Sequence, residues 1–292
     1  MYMDKIAVLL TCYNRRNKTI SCLKSFYAAV GLSNGDREFD VFLVDDGCTD
    51  GTPDVVKALF SQVNVIAGTG NLFWSGGMRF AWKTALSQEK DYDFFLLLND
   101  DVELVETFLN DLFLTHDYCL REYHKPGIYV SSTKDKATSE ISYGGTLITH
   151  WGIRIKSVLI QPADVPIACT MANANILMVT KSVVDKIGIL DENYVHQFGD
   201  YDYTLVASKN EIPVLVCPGF GGYCSDDHGN SWLASDAPLK QRIKYLYSTL
   251  GLSYKEQIYY LKKNFRYQFP YYFTMLWVKT MFPVFWTKYK KA

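Results

Sequence analysis

No stretch of the 292 residues reaches 18 uninterrupted apolar positions, so no transmembrane helix is expected. The N-terminal "MYMDKIAVLL" is too short and too acidic for a secretory signal and reads as a first strand. None of the seven cysteines forms a CxxC pair, the number is odd, and several sit inside apolar runs. That pattern argues for reduced, buried thiols in a cytosolic protein rather than a disulfide framework or a zinc site. The turn after the first strand, "TCYNRR", has no glycine, which sets aside a dinucleotide-binding Rossmann enzyme. "GTGNLF" comes one unit too late and lacks the third glycine of that fingerprint. There is no internal repeat and no low-complexity linker.

What is present is an ordinary folded composition, 48% apolar and 21% charged, with aromatics high at 15%. The net charge of −1 hides an asymmetry. Residues 239–292 hold eleven Lys and Arg against one acid, Glu256, leaving 19 basic and 30 acidic residues in 1–238. An acidic body with a basic, aromatic tail implies two surfaces with different partners.

The first hundred residues alternate apolar runs with helical patterns. "KIAVLLTCY", "FDVFLVDD", "VNVIAG" and "DFFLLLNDD" are predicted strands. Between them fall a helix over Arg16–Ala29 with Ile20, Leu23 and Phe26 on one face, "TPDVVKALF" with Thr52 as N-cap and Pro53 at the first helical position, and "SGGMRFAWKTAL". Continuous apolar strands alternating with helices predict an α/β fold, a mostly parallel sheet covered on both faces. Ligands of such sheets gather beyond the carboxyl ends of the strands. After about residue 125 the rhythm changes. "ISYGGTLITHWGIRIKSVLI" predicts a hairpin, "PIACTMANANILMVT" a strand, "KSVVDKIG" a short helix ending at Gly188, "IPVLVCPG" a strand, and a helix begins near Asp200. The division expected is a body over 1–238, in halves 1–125 and 126–238, and a helical tail over 239–292.

Three polar clusters fall at strand ends. Asp45 and Asp46 in "VFLVDDGCTDGT" either hold backbone amides of a turn or accept hydrogen bonds from a base or ribose. In "GNLFWSGGMRFAW", Asn71, Gly76 and Gly77 stand where backbone can approach an anion at a helix N-terminus, and Arg79 is a phosphate candidate. In "LLLNDDVEL", Asn99, Asp100 and Asp101 offer only oxygen ligands, suited to a hard cation such as Mg²⁺ or Mn²⁺. Neighbouring carboxylates repel unless a cation offsets them. A solvated turn is the plainer alternative.

In this order, "AVLLTCYNR", "VFLVDDGCTDGT", "GNLFWSGGM", "LLLNDDVEL" and "DENYVHQFGDYDYTL" resemble a family 2 glycosyltransferase with the GT-A fold, closest in flavour to the bacterial rhamnosyltransferase-like group of surface polysaccharide synthesis. The resemblance spans residues 5 to about 232. It implies a Rossmann-like sheet and an inverting, metal-dependent transfer from a UDP- or dTDP-sugar to a glycan hydroxyl. It implies nucleotide contacts from Thr11, Tyr13, Arg15, Asp45 and Asp46, with Asp100 near the ribose. The metal would be held by Asp101 of the DXD position, with Asn99 where the family often has Asp, and by His228 of "SDDHGNSW". The catalytic base maps onto Asp200, with Asp202 as fallback and Gly199 in place of the usual Glu. Without the resemblance, two acids opening a helix serve as helix-terminus charges. Trp74, Tyr194 and Trp232 could wall a sugar or belong to the core.

The tail, "YKEQIYYLKKNFRYQFPYYFTMLWVKTMFPVFWTKYKKA", interleaves basic and aromatic residues. It reads either as helices packed on the body or as an interfacial segment on an anionic membrane. Since relatives act on lipid-linked acceptors, a cytoplasmic, peripheral membrane location is expected. The acidic body argues against nucleic acid as a partner. The other readings are a sugar-phosphate nucleotidyltransferase, which needs a glycine-rich basic loop after the first strand, and a non-catalytic nucleotide-sugar-binding protein.

Overall fold

The computed structural model describes residues 3–33, 36–225 and 237–284. Its first strand, β1 (Asp4–Cys12), shows why the sheet is covered on both sides. Ile6, Val8, Leu10 and Cys12 enter one apolar core, and the alternate Ala7 and Leu9 enter a second. Helix α1 (Arg16–Leu32) buries Cys22, Leu23, Phe26 and Ala29 in the first core. Burying the larger of these side chains stabilises by about 1.5–3 kcal/mol each.

Strand β2 (Arg37–Asp45), helix α2 (Thr52–Leu59), strand β3 (Val63–Ala67), helix α3 (Phe73–Leu86) and strand β4 (Phe94–Leu98) complete the predicted alternation. β1 pairs in parallel with β2 and β4, and β2 in parallel with β3. The α2 start differs in detail. The flanking residue is Gly51, in the left-handed region, and Thr52 donates both its N–H and its hydroxyl to Asp50 Oδ1.

A two-residue strand β5 (Glu103–Leu104) leads into α4 (Phe108–Tyr123), a helix on the first core for which no expectation was set. Then β6 (Ile128–Lys134), β7 (Ile141–Tyr143), β8 (Gly145–Trp151), β9 (Arg154–Leu159), β10 (Ile167–Ala168), β11 (Met171–Ala172), β12 (Ile176–Thr180), α5 (Lys181–Ile187), α6 (Gly199–Lys209) and β13 (Val214–Tyr223) follow. The main sheet runs β10-β13-β6-β12-β4-β1-β2-β3, with β5 on β13 and β7 on β6. It is therefore continuous across residue 125. The expected hairpin is β8–β9, which forms a separate three-stranded sheet with β11. "PIACTMANANILMVT" is not one strand. Ile167–Ala168 pairs with β13, Met171–Ala172 with β8, and Ile176–Thr180 with β4 and β6.

The tail forms α7 (Leu239–Tyr247), α8 (Tyr254–Asn264) and α9 (Phe269–Met281). Tyr260, Leu261 and Phe265 share a third apolar cluster with Met171, Tyr194 and Leu205. Tyr272 exchanges hydrogen bonds with the Ile155 backbone. Among the described residues no helix is long and apolar enough to cross a membrane.

Candidate active site

The carboxyl ends of β1, β2 and β4 converge. After β1, Asn14 sits at φ 50° and zips the turn to the β2–α2 loop. Its N–H points at Cys48 Sγ (3.2 Å) and its side-chain oxygen accepts from Thr49 N–H (2.7 Å). Arg16 N–H donates to Asp50 Oδ2 (2.9 Å), so a carboxylate from the neighbouring loop satisfies the start of α1. Tyr13 is 57% exposed and leaves an aromatic face toward solvent. Asp45 Oδ1 accepts from Cys48 N–H at 2.7 Å.

Asp46 has a different job from its neighbour. It is buried, and its carboxylate accepts from the N–H groups of Gly70, Leu72 and Phe73 at 2.8–2.9 Å. The turn-holding alternative is the one this geometry matches. The three amides fix the β3–α3 connection, including Phe73 at the left-handed φ of 53°. Asn71 lies exposed in that connection.

The expected anion cradle at α3 is occupied by the chain itself. Gly76 N–H donates to Val195 O (3.0 Å), and Ser75 Oγ donates to His196 O (3.0 Å). Arg79, expected at a phosphate, donates instead to the carbonyls of Asp191 and Tyr194 at 3.0 and 2.9 Å. Gly77 is required by packing, since a Cβ there would meet Thr11 Oγ1 at 2.2 Å and Thr11 Cβ at 2.7 Å. The N-terminal turn of α3 thus binds the 191–196 loop rather than presenting open donors.

The three residues after β4 diverge. Asn99 Oδ1 accepts from Trp74 Nε1 at 2.7 Å, which pins the indole at the sheet edge. That oxygen, expected on a metal, is engaged. Asp100 turns inward to Thr19 Oγ1 (2.9 Å) on α1, not toward a ribose. Burial, then the Asp101 charge, push its carboxyl up to about 7 against the pull of Arg15. Asp101 is the acid beside the basic turn. Its Oδ2 accepts from Arg15 Nη1 at 2.8 Å, with Lys18 Nζ at 3.7 Å. A cavity of about 150 Å³ next to it is lined by Lys18, Glu103, Lys136, Tyr223 and Cys224 among others. Asn14, Arg15, Arg16, Lys18 and Asp50 line another of about 330 Å³.

Asp200 opens α6 after Phe198, itself left-handed at φ 65° and stacked on Tyr260. Its Oδ2 accepts from Ala174 N–H (3.0 Å) and its Oδ1 from Tyr201 N–H (2.8 Å). The next residue, Asn175, accepts from Asn99 N–H through its carbonyl (3.0 Å). The segment 174–175 therefore links Asp200 to the end of β4. Gly199 fits because a Cβ would lie 2.6 Å from Ser75 Oγ. The glutamate usual in the family has no room here. Asp202 cannot serve as an accessible base. It is 2% exposed and held by Lys263 Nζ and Asn264 Nδ2, both at 2.6 Å. Tyr194 is fully buried against Tyr259, so it is core and not a sugar wall. His228 and Trp232 lie outside the described residues.

Sequence reasoning missed the tail's part in this site. Glu256 is buried, and its Oε2 accepts from His196 N–H (3.1 Å) and Gln197 N–H (2.9 Å). Lys263 bridges Asp191 Oδ2 (2.8 Å) and Asp202. A signal was available, because Glu256 is the one acid in a basic segment.

As a cation site, Asp101 offers one carboxylate flanked by the cationic side chains of Arg15 and Lys18. Mg²⁺ sites commonly use one or two carboxylates and complete the shell with substrate phosphates and water. The donor set is compatible with such an ion provided the diphosphate is bound.

The sequence profile described as "Glycosyl transferase family 2" matches residues 7–118. No curated protein matches the chain significantly. S. aureus TarS residues 1–349 superpose with a TM-score of 0.51 at 16% identity, covering 86% of this chain and 68% of that one. The same protein in complex with UDP-GlcNAc gives 0.51 at 14% identity, covering 91% and 73%. Mannosyltransferase PcManGT from Pyrobaculum calidifontis, in complex with GDP-Man and Mn²⁺, gives 0.50 at 11% identity, covering 80% and 61%. At these identities the structural likeness speaks for the fold. The profile match makes residues 7–118 similar to glycosyl transferase family 2, and the chain as a whole has the GT-A fold of these structures.

Proposed function

We propose that the chain is an inverting, metal-dependent glycosyltransferase of the rhamnosyltransferase-like kind. It would move a sugar from a UDP- or dTDP-sugar to a hydroxyl of a lipid-linked glycan in bacterial surface polysaccharide synthesis. The observation that carries the reading is the meeting of Arg15, Lys18 and Asp101, on a strand end tied through 174–175 to Asp200. Arg15 and Lys18 bind and orient the diphosphate. Thr11, Tyr13 and Asp45 line the nucleotide side. Asp200, oriented by the amides of Ala174 and Tyr201, takes the proton of the acceptor hydroxyl as its oxygen attacks the anomeric carbon. A Mn²⁺ or Mg²⁺ at Asp101, when bound, supplies charge neutralisation for the departing nucleoside diphosphate.

A peripheral place on the cytoplasmic membrane face fits the outer side of the tail. Leu250, Tyr267, Phe282 and Val284 are exposed there among lysines and arginines, Tyr267 at 89%. A nucleotidyltransferase is disfavoured by the glycine-free turn after β1. A non-catalytic binder would share the binding and lack turnover.

The test is calorimetric titration of UDP, dTDP and GDP, with and without Mn²⁺, into the wild type and Asp101→Ala. One nucleotide should bind in a metal-dependent way and lose that dependence in the variant. No binding of any nucleotide to the folded protein would overturn the reading.

A further inference from the structure

A second group of metal-binding side chains lies beside the nucleotide crevice, and it uses sulfur. β1 and β2 pair in parallel with Cys12 opposite Asp45, which brings two potential ligands to adjacent strand ends. The hydrogen bond from Cys48 N–H to Asp45 Oδ1 (2.7 Å) turns the following loop back over them. Cys48 Sγ then lies 3.8 Å from Cys12 Sγ. One ligand atom from each of Cys12, Asp45 and Cys48 lies within 4.8 Å of the others.

These distances fit an ion better than a covalent bond. Two thiolates on a tetrahedral Zn²⁺, each at about 2.3 Å, stand about 3.8 Å apart. A disulfide requires about 2.05 Å. The Asn14 N–H aimed at Cys48 Sγ (3.2 Å) is the kind of outer contact that orients a thiolate ligand. The Cys12 carbonyl, 3.7 Å from Cys48 Sγ, or a water could take the fourth position. Burial raises both thiols, Cys48 to about 11, and neighbouring carboxylates add to the effect. A bound cation reverses that balance, since a coordinated thiol loses its proton.

We infer that Cys12, Asp45 and Cys48 form a site for a thiophilic divalent cation of the Zn²⁺ class, separate from the hard-cation position at Asp101. Two sulfurs and one carboxylate select by softness what an all-oxygen site selects against. It shares Asp45 with the nucleotide side of the transferase reading, but cation uptake is measured without nucleotide, so the two readings fail separately. Sequence spacing concealed it, since the two cysteines are 36 residues apart and share no motif.

The test is titration of Cd²⁺ into the full reduced chain in a thiol-free reductant, following the ultraviolet thiolate-to-metal charge-transfer band. The band should saturate at one ion per chain, persist in Asp101→Ala, and vanish in Cys48→Ser. Asp45→Asn keeps both sulfurs and should weaken the affinity by about tenfold or more. As a readout independent of any variant, Cd²⁺ should protect Cys48 of the wild type from iodoacetamide, mapped by peptide mass spectrometry. Absence of the band and of protection would overturn the site. So would a band of full size in Cys48→Ser, or a Cys12–Cys48 disulfide forming in air with no Cd²⁺ uptake by the reduced chain.

Discussion

Replacing Lys263 by methionine keeps the aliphatic stem and removes the charge that faces Asp202. In the wild type, Lys263 Nζ lies 2.6 Å from Asp202 and 2.8 Å from Asp191, and the Asp202 side chain is 3% exposed. After the change, Asp202 remains buried with the Asn264 amide at 2.6 Å and loses the one cation within ion-pair distance among the described residues. Removing one partner of a buried pair typically costs about 3–5 kcal/mol. The lower end applies, because Lys263 is itself 31% exposed and one strong hydrogen bond survives. At roughly 2–4 °C per kcal/mol for a large domain, a cost of about 3 kcal/mol lowers Tm by roughly 6–12 °C. Differential scanning fluorimetry measures it directly. The double variant Lys263→Met/Asp202→Asn should recover part of the loss, with a coupling of about 1–2 kcal/mol, because no unpaired charge is left buried. A single variant melting within about 1 °C of the wild type would refute the reasoning. The tail would then be an appendage and not a strut beneath α6.

Other outcomes follow from the same geometry. Burial pushes the Asp191 carboxyl up, but hydrogen bonds from Lys263, Asn193 and Tyr259 outweigh it and hold it well below the usual range. Its contribution is therefore complete above the unfolded carboxyl pKa of about 4 and lost as pH falls below it. Acid unfolding curves should be steeper below about pH 4 for the wild type than for Asp191→Asn. Gly77→Ala gains about 1 kcal/mol of helix propensity but must displace Thr11, a half-buried neighbour fixed in β1, so overpacking wins and chemical denaturation should show a net loss of about 1–2 kcal/mol. Asp200→Asn should lower turnover about 10²–10⁴-fold while donor binding persists in calorimetry. High salt should strip the protein from a membrane fraction, since the attraction is between a basic surface and anionic lipid; retention through the wash would refute that.

The nucleotide half was legible because its signals are local. Four apolar runs, the Thr52–Pro53 start signal (out by one residue) and the polar residues after each run placed β1 to β4 and α1 to α3. The same reasoning brought "TCYNR", "DDGCTDGT" and "NDD" to one sheet edge, where hydrogen bonds now join them. What sequence could not assign was the partner of each polar atom. Arg79 and Gly76 carry every mark of an anion site, yet their partners are carbonyls more than a hundred residues away. Asp46 was open between two jobs until the β3–α3 amides came into reach. The chain after residue 125 was harder because several of its strands are very short. Two-residue pairings such as Ile167–Ala168 and Met171–Ala172 fall below any periodic signal, and an apolar stretch that changes sheets reads as one strand.

The clamp of Glu256 on the amides of His196 and Gln197 also has a consequence in time. The loop that leads into α6 and the residue that steadies it are 60 positions apart. At about 5–20 residues per second on the ribosome, the loop emerges several seconds before its clamp. During that interval the parallel strands β1 to β4 can close while the turn before α6 lacks its last hydrogen bonds. Under the proposed function, a nascent chain stalled short of Glu256 should therefore recognise nucleotide before it can orient an acceptor.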